Sequence, residues 1–374
     1  MVISQKMIER EIGYRGSKSV ICENIIVKEQ RVDGSYIKGT NLMLRCTLTG
    51  FERNYRVKIL SNQINQIRTY SANIPQKPNN GSIDPWFLTG FSDAEGTFSL
   101  LIQRNTKLNT GWRIKPIFAI GLHTKDATLL ENIKSSWGVG NIHKHGINSL
   151  QYRVASISDL QVIIDHFDKY SLVSCKKIDY EIFKRAFNII KNKEHLTKEG
   201  LLKLIGLKSS LNLGLSSELK EEFPNWKEIE ISRPEYCFKG IPNPQWLAGF
   251  SSGDSSFMIK TSKSETELGQ RVQLRFSIGL HIREQELVKS LTAYFNLGND
   301  KLVYMNSNSV SFQVTNTKYI LNTIIPFFDQ YTIKGKKSLD YVEFRKVAFM
   351  VKNKEHLTEK GLNEILNIKS KMND

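Results

Sequence analysis

Two nine-residue stretches hold the residues best suited to chemistry. Leu88-Thr89-Gly90-Phe91-Ser92-Asp93-Ala94-Glu95-Gly96 and Leu247-Ala248-Gly249-Phe250-Ser251-Ser252-Gly253-Asp254-Ser255 each carry a carboxylate, Glu95 or Asp254, one residue before the end. Gly90 lies four residues from Ala94, and Gly249 four from Gly253, so each stretch has a small-residue face if it is helical. Such faces let two helix backbones approach closely, as in GxxxG pairs. Packed on those faces, the helices would bring Glu95 and Asp254 side by side at their C-terminal ends. A carboxylate there meets the negative end of the helix dipole and is disfavoured without a cation. Two together suit a divalent metal. Oxygen ligands favour Mg²⁺, which can activate water and stabilise the leaving oxygen of a phosphodiester.

The elements that must position these carboxylates occur twice. KNKEHLT begins at Lys191 and recurs at Lys352, and IGLH ends at His123 and at His281. Asp179-Tyr180 answers to Asp340-Tyr341, Phe167-Asp168 to Phe328-Asp329, and Pro85-Trp86 to Pro244 with Trp246 a residue later. A period of roughly 160 residues is too long for a solenoid and implies two copies of one domain. Each copy opens on a helix capped by Asp84 or Asn243, with Pro85 or Pro244 at its first position. A strand follows, with Phe98, Leu100 and Ile102, or Phe257 and Ile259, facing inward. In the second strand Ile114, Phe118 and Ile120 face inward, as do Val272, Leu274, Phe276 and Ile278 in the other copy. Helices near 124–136 and 283–294 come next, then two weaker strands and helices near 157–170 and 178–192. The order is αββαββα, twice. We expect domains at 84–213 and 244–374, a linker at 214–243 where acidic and proline-containing sequence breaks the apolar pattern, and an N-terminal extension at 1–83.

The 374 residues carry a formal net charge of +16, which points to a polyanionic partner, nucleic acid or an acidic membrane surface. No apolar run approaches the length needed to span a bilayer. The N-terminus lacks the apolar core of a secretory signal, and Glu9 and Glu11 weaken an import presequence. Cys22, Cys46, Cys175 and Cys237 form no CxxC pair and read as reduced thiols.

The paired nonapeptides, each followed by an alternating strand pair, resemble the LAGLIDADG motif of homing endonucleases over about residues 84–374. The closest type is the single-chain, two-motif enzyme of fungal mitochondrial introns. The resemblance implies an α+β fold of two pseudo-symmetric αββαββα domains with saddle-shaped antiparallel sheets, beside the N-terminal extension. It also implies site-specific double-strand DNA cleavage leaving staggered 3′ overhangs, with one acidic residue per motif acting on each strand. The protein would be a mitochondrial monomer that uses Mg²⁺, with Mn²⁺ as a substitute. Glu95 and Asp254 would be catalytic and would bind metal with Ala94 and Gly253 beside them. Lys144 and Lys301, each shortly after a Gly-Asn pair, are candidates to orient water and neutralise the phosphate, or else are surface lysines on the DNA backbone.

An antiparallel strand pair fits the major groove, so the outward residues are candidate DNA contacts. They are Thr97, Ser99, Leu101, Gln103, Asn105, Arg113, Lys115, Ile117 and Ala119 in the first copy. In the second they are Ser256, Met258, Lys260, Ser262, Arg271, Gln273, Arg275 and Ser277. A solvated outer sheet face would produce the same alternation. The second motif departs from the family at Ser252, opposite Asp93, where packing or capping should change. It departs again at Ser255, opposite Gly96, where a positive φ would strain serine. His195 and His356 read as helix-end packing, His123 and His281 as structural or phosphate-touching, and Trp86 and Trp246 as core anchors. Competing functions on the same fold are an intron maturase that binds RNA and a catalytically silent DNA-binding protein. Residues 1–83 are either an exon-derived extension removed in the mature enzyme or an added nucleic-acid-binding module.

Overall fold

The computed structural model describes residues 83–265, 268–298 and 300–372, together with strands at 30–31, 41–48 and 51–58. The chain forms two compact units, Met1–Lys77 and Pro78–Asp374. In the first, β1 (Gln30–Arg31), β2 (Asn41–Leu48) and β3 (Phe51–Lys58) pair antiparallel in that order, structure the sequence reading did not anticipate.

The larger unit repeats one plan. Its first half runs α1 (Pro85–Glu95), β4 (Gly96–Arg104), β5 (Trp112–His123), α2 (Ala127–Trp137), β6 (Asn141–Lys144), β7 (Ser149–Val154), α3 (Ile157–Lys169), α4 (Lys176–Lys191), α5 (Lys198–Ser209) and α6 (Ser217–Glu222). The second half runs α7 (Pro244–Asp254), β8 (Ser255–Lys263), β9 (Gln270–His281), α8 (Gln285–Tyr294), β10 (Val303–Met305), β11 (Ser309–Val314), a helical stretch α9 over 317–330, α10 (Lys337–Lys352) and α11 (Glu359–Lys371). The sheets are antiparallel, ordered β4-β5-β7-β6 and β8-β9-β11-β10. The α+β architecture and the double αββαββα order are as expected. Among the described residues no helix is long and apolar enough to cross a membrane.

The repeated dipeptides meet inside each half. Tyr180 and Tyr341 start buried on α4 and α10, and their hydroxyls donate to Asp168 and Asp329 at 2.7 and 2.6 Å. Phe98, Phe118 and Phe167 pack with ring centroids 5.1–5.6 Å apart, and Phe257, Phe276 and Phe328 do the same at 5.2–5.5 Å. This inner layer holds the sheet against the helices and leaves the opposite sheet face open.

KNKEHLT is a tight corner between α4 and α5, and again between α10 and α11. Asn192 Nδ2 donates to Glu194 at 3.2 Å, and Thr197 caps α5 by accepting from Gly200 N at 3.0 Å. A Cβ on Gly200 or Gly361 would run into the carbonyl of Glu194 or Glu355. The asparagine–glutamate bond, the threonine cap and the lack of room for a Cβ at the glycine recur in both corners.

The boundary drawn at 213 is too early. Leu215 and Leu219 are buried in the same core cluster as Leu100, Ile182 and Leu204, with Phe223, Trp226, Ile229 and Tyr236 packed against it. Arg233 pairs with Asp179 at 2.8 Å and donates to the Ser210 carbonyl at 2.6 Å. The segment expected to be a linker is therefore largely a strap on the first half. Its acidic surface residues hide an apolar set spaced too irregularly to read as an element.

Candidate active site

The site is built where α1 and α7 cross. Asp84 Oδ1 accepts from Trp86 N and Phe87 N at 2.8 and 3.4 Å, and Asn243 Oδ1 accepts from Gln245 N at 2.8 Å, so both helices start where their caps predict. A Cβ at Gly90 would strike the Trp246 carbonyl, and one at Gly249 the Phe87 carbonyl. At Gly253 it would collide with the Ala94 Cβ and reach Glu95 Oε1 at 3.1 Å. The backbones touch through the small residues, as the spacing predicts. Both helices pass directly into strands. Ser255 has φ −102°, ψ 165° and Gly96 has φ −73°, ψ 148°, so both are extended and the expected strain at Ser255 does not arise.

Glu95 and Asp254 end these helices and line different clefts. Burial pushes both carboxyls above the ordinary carboxylate range, and the proximity of Asp254 raises Glu95 further. Two clefts open there. One, of about 340 Å³, is lined by Glu95 and Asp126 from the first half and by Ser252, Lys336 and Lys337 from the second. The other, of about 160 Å³, is lined by Asp254 and Glu284 from the second half and by Asp93, Ser174 and Lys176 from the first. Each cleft thus combines a carboxylate of one half with a lysine of the other.

Those lysines were not identified in the sequence. Lys176 Nζ donates to the Ser92 and Ala94 carbonyls at 3.2 and 3.0 Å, and Lys337 Nζ donates to the Gly253 carbonyl. Each ammonium sits at the negative end of a motif helix, supplying the cation the dipole calls for. Burial lowers the pKa of both, against the opposing pull of Asp93, Asp254 and Glu95 on Lys176 and of Asp254 and Glu95 on Lys337. Lys144 is exposed at the end of β6 and Lys301 is exposed beyond α8. Neither lines either cleft, whose lysines include Lys337 in one and Lys176 in the other. A signal was available. Lys176 and Lys337 stand at the first position of α4 and α10, where the dipole disfavours a cation, so a repeated lysine there needs a reason.

Ala94 and Gly253, expected beside the metal, turn their carbonyls to these ammoniums. A carbonyl has a second lone pair, so this does not close either to a metal. Among the described residues no three His, Cys, Asp or Glu side chains cluster as a metal site. Two desolvated carboxylates, Glu95 raised further by Asp254, fit a hard divalent ion that completes its shell with water and substrate oxygens, the habit of Mg²⁺.

Above the site the sheet faces follow the expected alternation. Gln103 pairs with Arg113 and Leu101 with Lys115; Lys260 pairs with Gln273 and Ser262 with Arg271. Thr97, Gln103 and Arg113 are exposed, as are Lys260, Ser262 and Arg271, whereas Ser99, Leu101, Lys115, Ser256, Gln273 and Ser277 are half-buried. Arg275 lies against Met258, its Nη2 donating to Sδ at 3.2 Å. Three candidates behave otherwise. Ile117 and Ala119 lie on this face but are buried on β5, an inner strand flanked by β4 and β7. Asn105 closes the β4–β5 turn by accepting from Lys107 N at 3.2 Å. His123 and His281 cap the turns that follow them, each ring Nδ1 accepting from the backbone N–H two residues on.

The match to known proteins agrees with this construction. The sequence profile of the family described as LAGLIDADG endonuclease matches residues 88–187 and 247–348. The chain belongs to that family. It is 38% identical to probable intron-encoded endonuclease 3 of Neurospora crassa, over 97% of this chain and 70% of that protein. It is 40% identical to probable intron-encoded endonuclease 2 of the same fungus, over 82% of this chain and 70% of that one. Among solved structures it resembles the LAGLIDADG meganuclease I-CpaMI bound to uncleaved DNA, with 58% identity and a TM-score of 0.77 over 78% of this chain and all of the other. The homing endonuclease I-SmaMI bound to cleaved DNA matches at 42% identity and a TM-score of 0.75, over 79% and 98%. I-SmaMI is also solved on uncleaved target in the presence of calcium ions.

Proposed function

We propose that this protein is a single-chain homing endonuclease that binds one long double-stranded DNA site and hydrolyses a phosphodiester in each strand, leaving 3′ overhangs. The observation that carries the reading is the pair of composite clefts, each setting a motif carboxylate of one half beside a lysine of the other. Glu95 and Asp254 would hold the divalent ion, Mg²⁺ by the chemistry of the donors, with Ala94 and Gly253 adjoining. When bound, that ion supplies Lewis acidity and a nucleophilic water near neutral pH. The protein's part is to seat one phosphate per cleft and hold an ammonium, Lys176 or Lys337, where negative charge grows on the phosphoryl oxygens. Burial strengthens that interaction because little water screens it. Recognition falls to Gln103, Arg113 and Lys115 on one sheet and to Lys260, Arg271, Gln273 and Arg275 on the other. We read the enzyme as a mitochondrial monomer, a reading supported by its likeness to fungal intron-encoded endonucleases. A maturase or a silent binder has no need of two buried carboxylates facing two buried lysines.

The test is incubation of the purified chain with a plasmid carrying the sequence that flanks its own intron's insertion point. Linear product with Mg²⁺ and none with EDTA is expected. Cutting that persists in EDTA would remove the metal from the account.

A further inference from the structure

Asp126 and Glu284 occupy equivalent places, three residues past His123 and His281, and lie in the clefts without being motif acids. Their contacts cross the molecule. Glu284, only 7% exposed, accepts the Cys175 N–H on both carboxylate oxygens at 3.0 and 3.2 Å. Cys175 is the N-cap of α4 and makes no side-chain cap of its own. Its thiol, pushed up to about 12 by burial and by Glu284, instead donates to the Arg283 carbonyl at 3.5 Å. In the other half Asp126 Oδ1 accepts the Lys336 N–H at 2.6 Å, and Lys336 is the N-cap of α10, again with no side-chain cap of its own. A Cβ on Gly335 would come within 2.6 Å of the same oxygen, so this approach is built into the chain.

The next residue along each helix is the cleft lysine. A lysine at a helix N-terminus is repelled by the dipole, and a carboxylate cap offsets that repulsion while fixing where the first turn points. We propose that Glu284 and Asp126 are crossed positioning residues, each capping the opposite half's lysine helix and so aligning the lysine that serves its own half's motif carboxylate. Glu284 holds Lys176 beside Asp254, and Asp126 holds Lys337 beside Glu95. Neither cleft is complete until the halves have docked, which couples assembly of the enzyme to its competence to cut. The inference rests on the two-cleft reading above, and its test separates the two.

The experiment follows each strand of an end-labelled target cut by the full chain with Mg²⁺, alongside a gel-shift measurement of binding. Lys176→Met and Lys337→Met are the references and should each slow a different strand. Glu284→Ala should slow the strand that Lys176→Met slows by about 10- to 100-fold, the scale expected of a misplaced group, and leave the other strand within about twofold. Nicked plasmid should accumulate while binding holds. Asp126→Ala should show the opposite strand bias. Glu284→Gln keeps an acceptor but loses the charge, so it should show the same bias at smaller size, and it serves if the alanine variant does not fold. Equal slowing of both strands by both Glu284 variants, or no slowing, would overturn crossed positioning while the lysine references still stand. Lysine variants without strand bias would overturn the two-cleft reading and this inference with it.

Discussion

The two motif helices are near copies, yet they are held in place by different polar chemistry. Asp93 on α1 is buried and accepts four hydrogen bonds: Val173 N at 2.8 Å, Ser174 N at 3.1 Å, Ser174 Oγ at 2.6 Å and the Trp246 indole N–H at 2.8 Å. On α7 the same place is Ser252, whose hydroxyl donates to the Ala248 carbonyl at 2.8 Å and accepts from Lys334 N at 3.1 Å. The motif alignment puts Phe87 where the second copy has Trp246, and the Phe87 ring lies under the Lys334 ammonium at 5.5 Å. The substitutions go together. A buried indole needs an acceptor and finds Asp93, while a phenyl ring needs none, so serine suffices opposite it. The difference teaches that Asp93 is held by interface partners that Ser252 does not need, while the next acid, Glu95 or Asp254, lines a cleft in both halves.

Stability measurements can break that comparison. Asp93→Ala would strand two backbone N–H groups and an indole N–H in a dry interface, with an expected loss of about 3 kcal/mol or more. Ser252→Ala loses one weaker set and should cost about 1 kcal/mol. Urea unfolding of both variants and of the double mutant measures this. Equal losses would mean that the buried Asp93 network carries no special weight.

The sheets allow a smaller and sharper contrast. Arg275→Ala should relax preference at one or two adjacent base pairs, worth about 1–3 kcal/mol of discrimination, in the half-site read by β8 and β9. Preference in the half read by Gln103, Arg113 and Lys115 should stay unchanged, since the sheets are separate. Cleavage profiling of single-base site variants decides this. Uniform loss over the whole site would make Arg275 a backbone anchor.

What could be read without coordinates followed from strong periodicities. The motif helices, their caps, the strand alternation and the inward phenylalanines all rest on local spacing that the tertiary fold does not override. The helices after KNKEHLT were missed although Thr197 and Thr358 are good caps, followed by apolar residues such as Leu201, Leu204 and Ile205 at helical spacing. The cleft lysines were harder. They stand far along the chain from the carboxylates they face, and only the crossing of the halves brings Lys337 into a cleft with Glu95 and Lys176 into one with Asp254. Lys144 and Lys301 stand out in the sequence because each follows a Gly-Asn pair, a local signal that carries no information about the opposite half. Burial of Ile117 and Ala119 likewise depends on neighbours across the sheet, which period-2 spacing does not report.

The central claim is that one buried carboxylate per motif does the cutting. Glu95→Gln and Asp254→Asn change little volume and remove the charge a metal requires, so each should retain DNA binding in a gel shift. Linearisation of a target plasmid in Mg²⁺ should fall by about a thousandfold or more, the scale of losing a principal electrostatic group. A single variant that still linearises the plasmid at the wild-type rate would contradict the assignment.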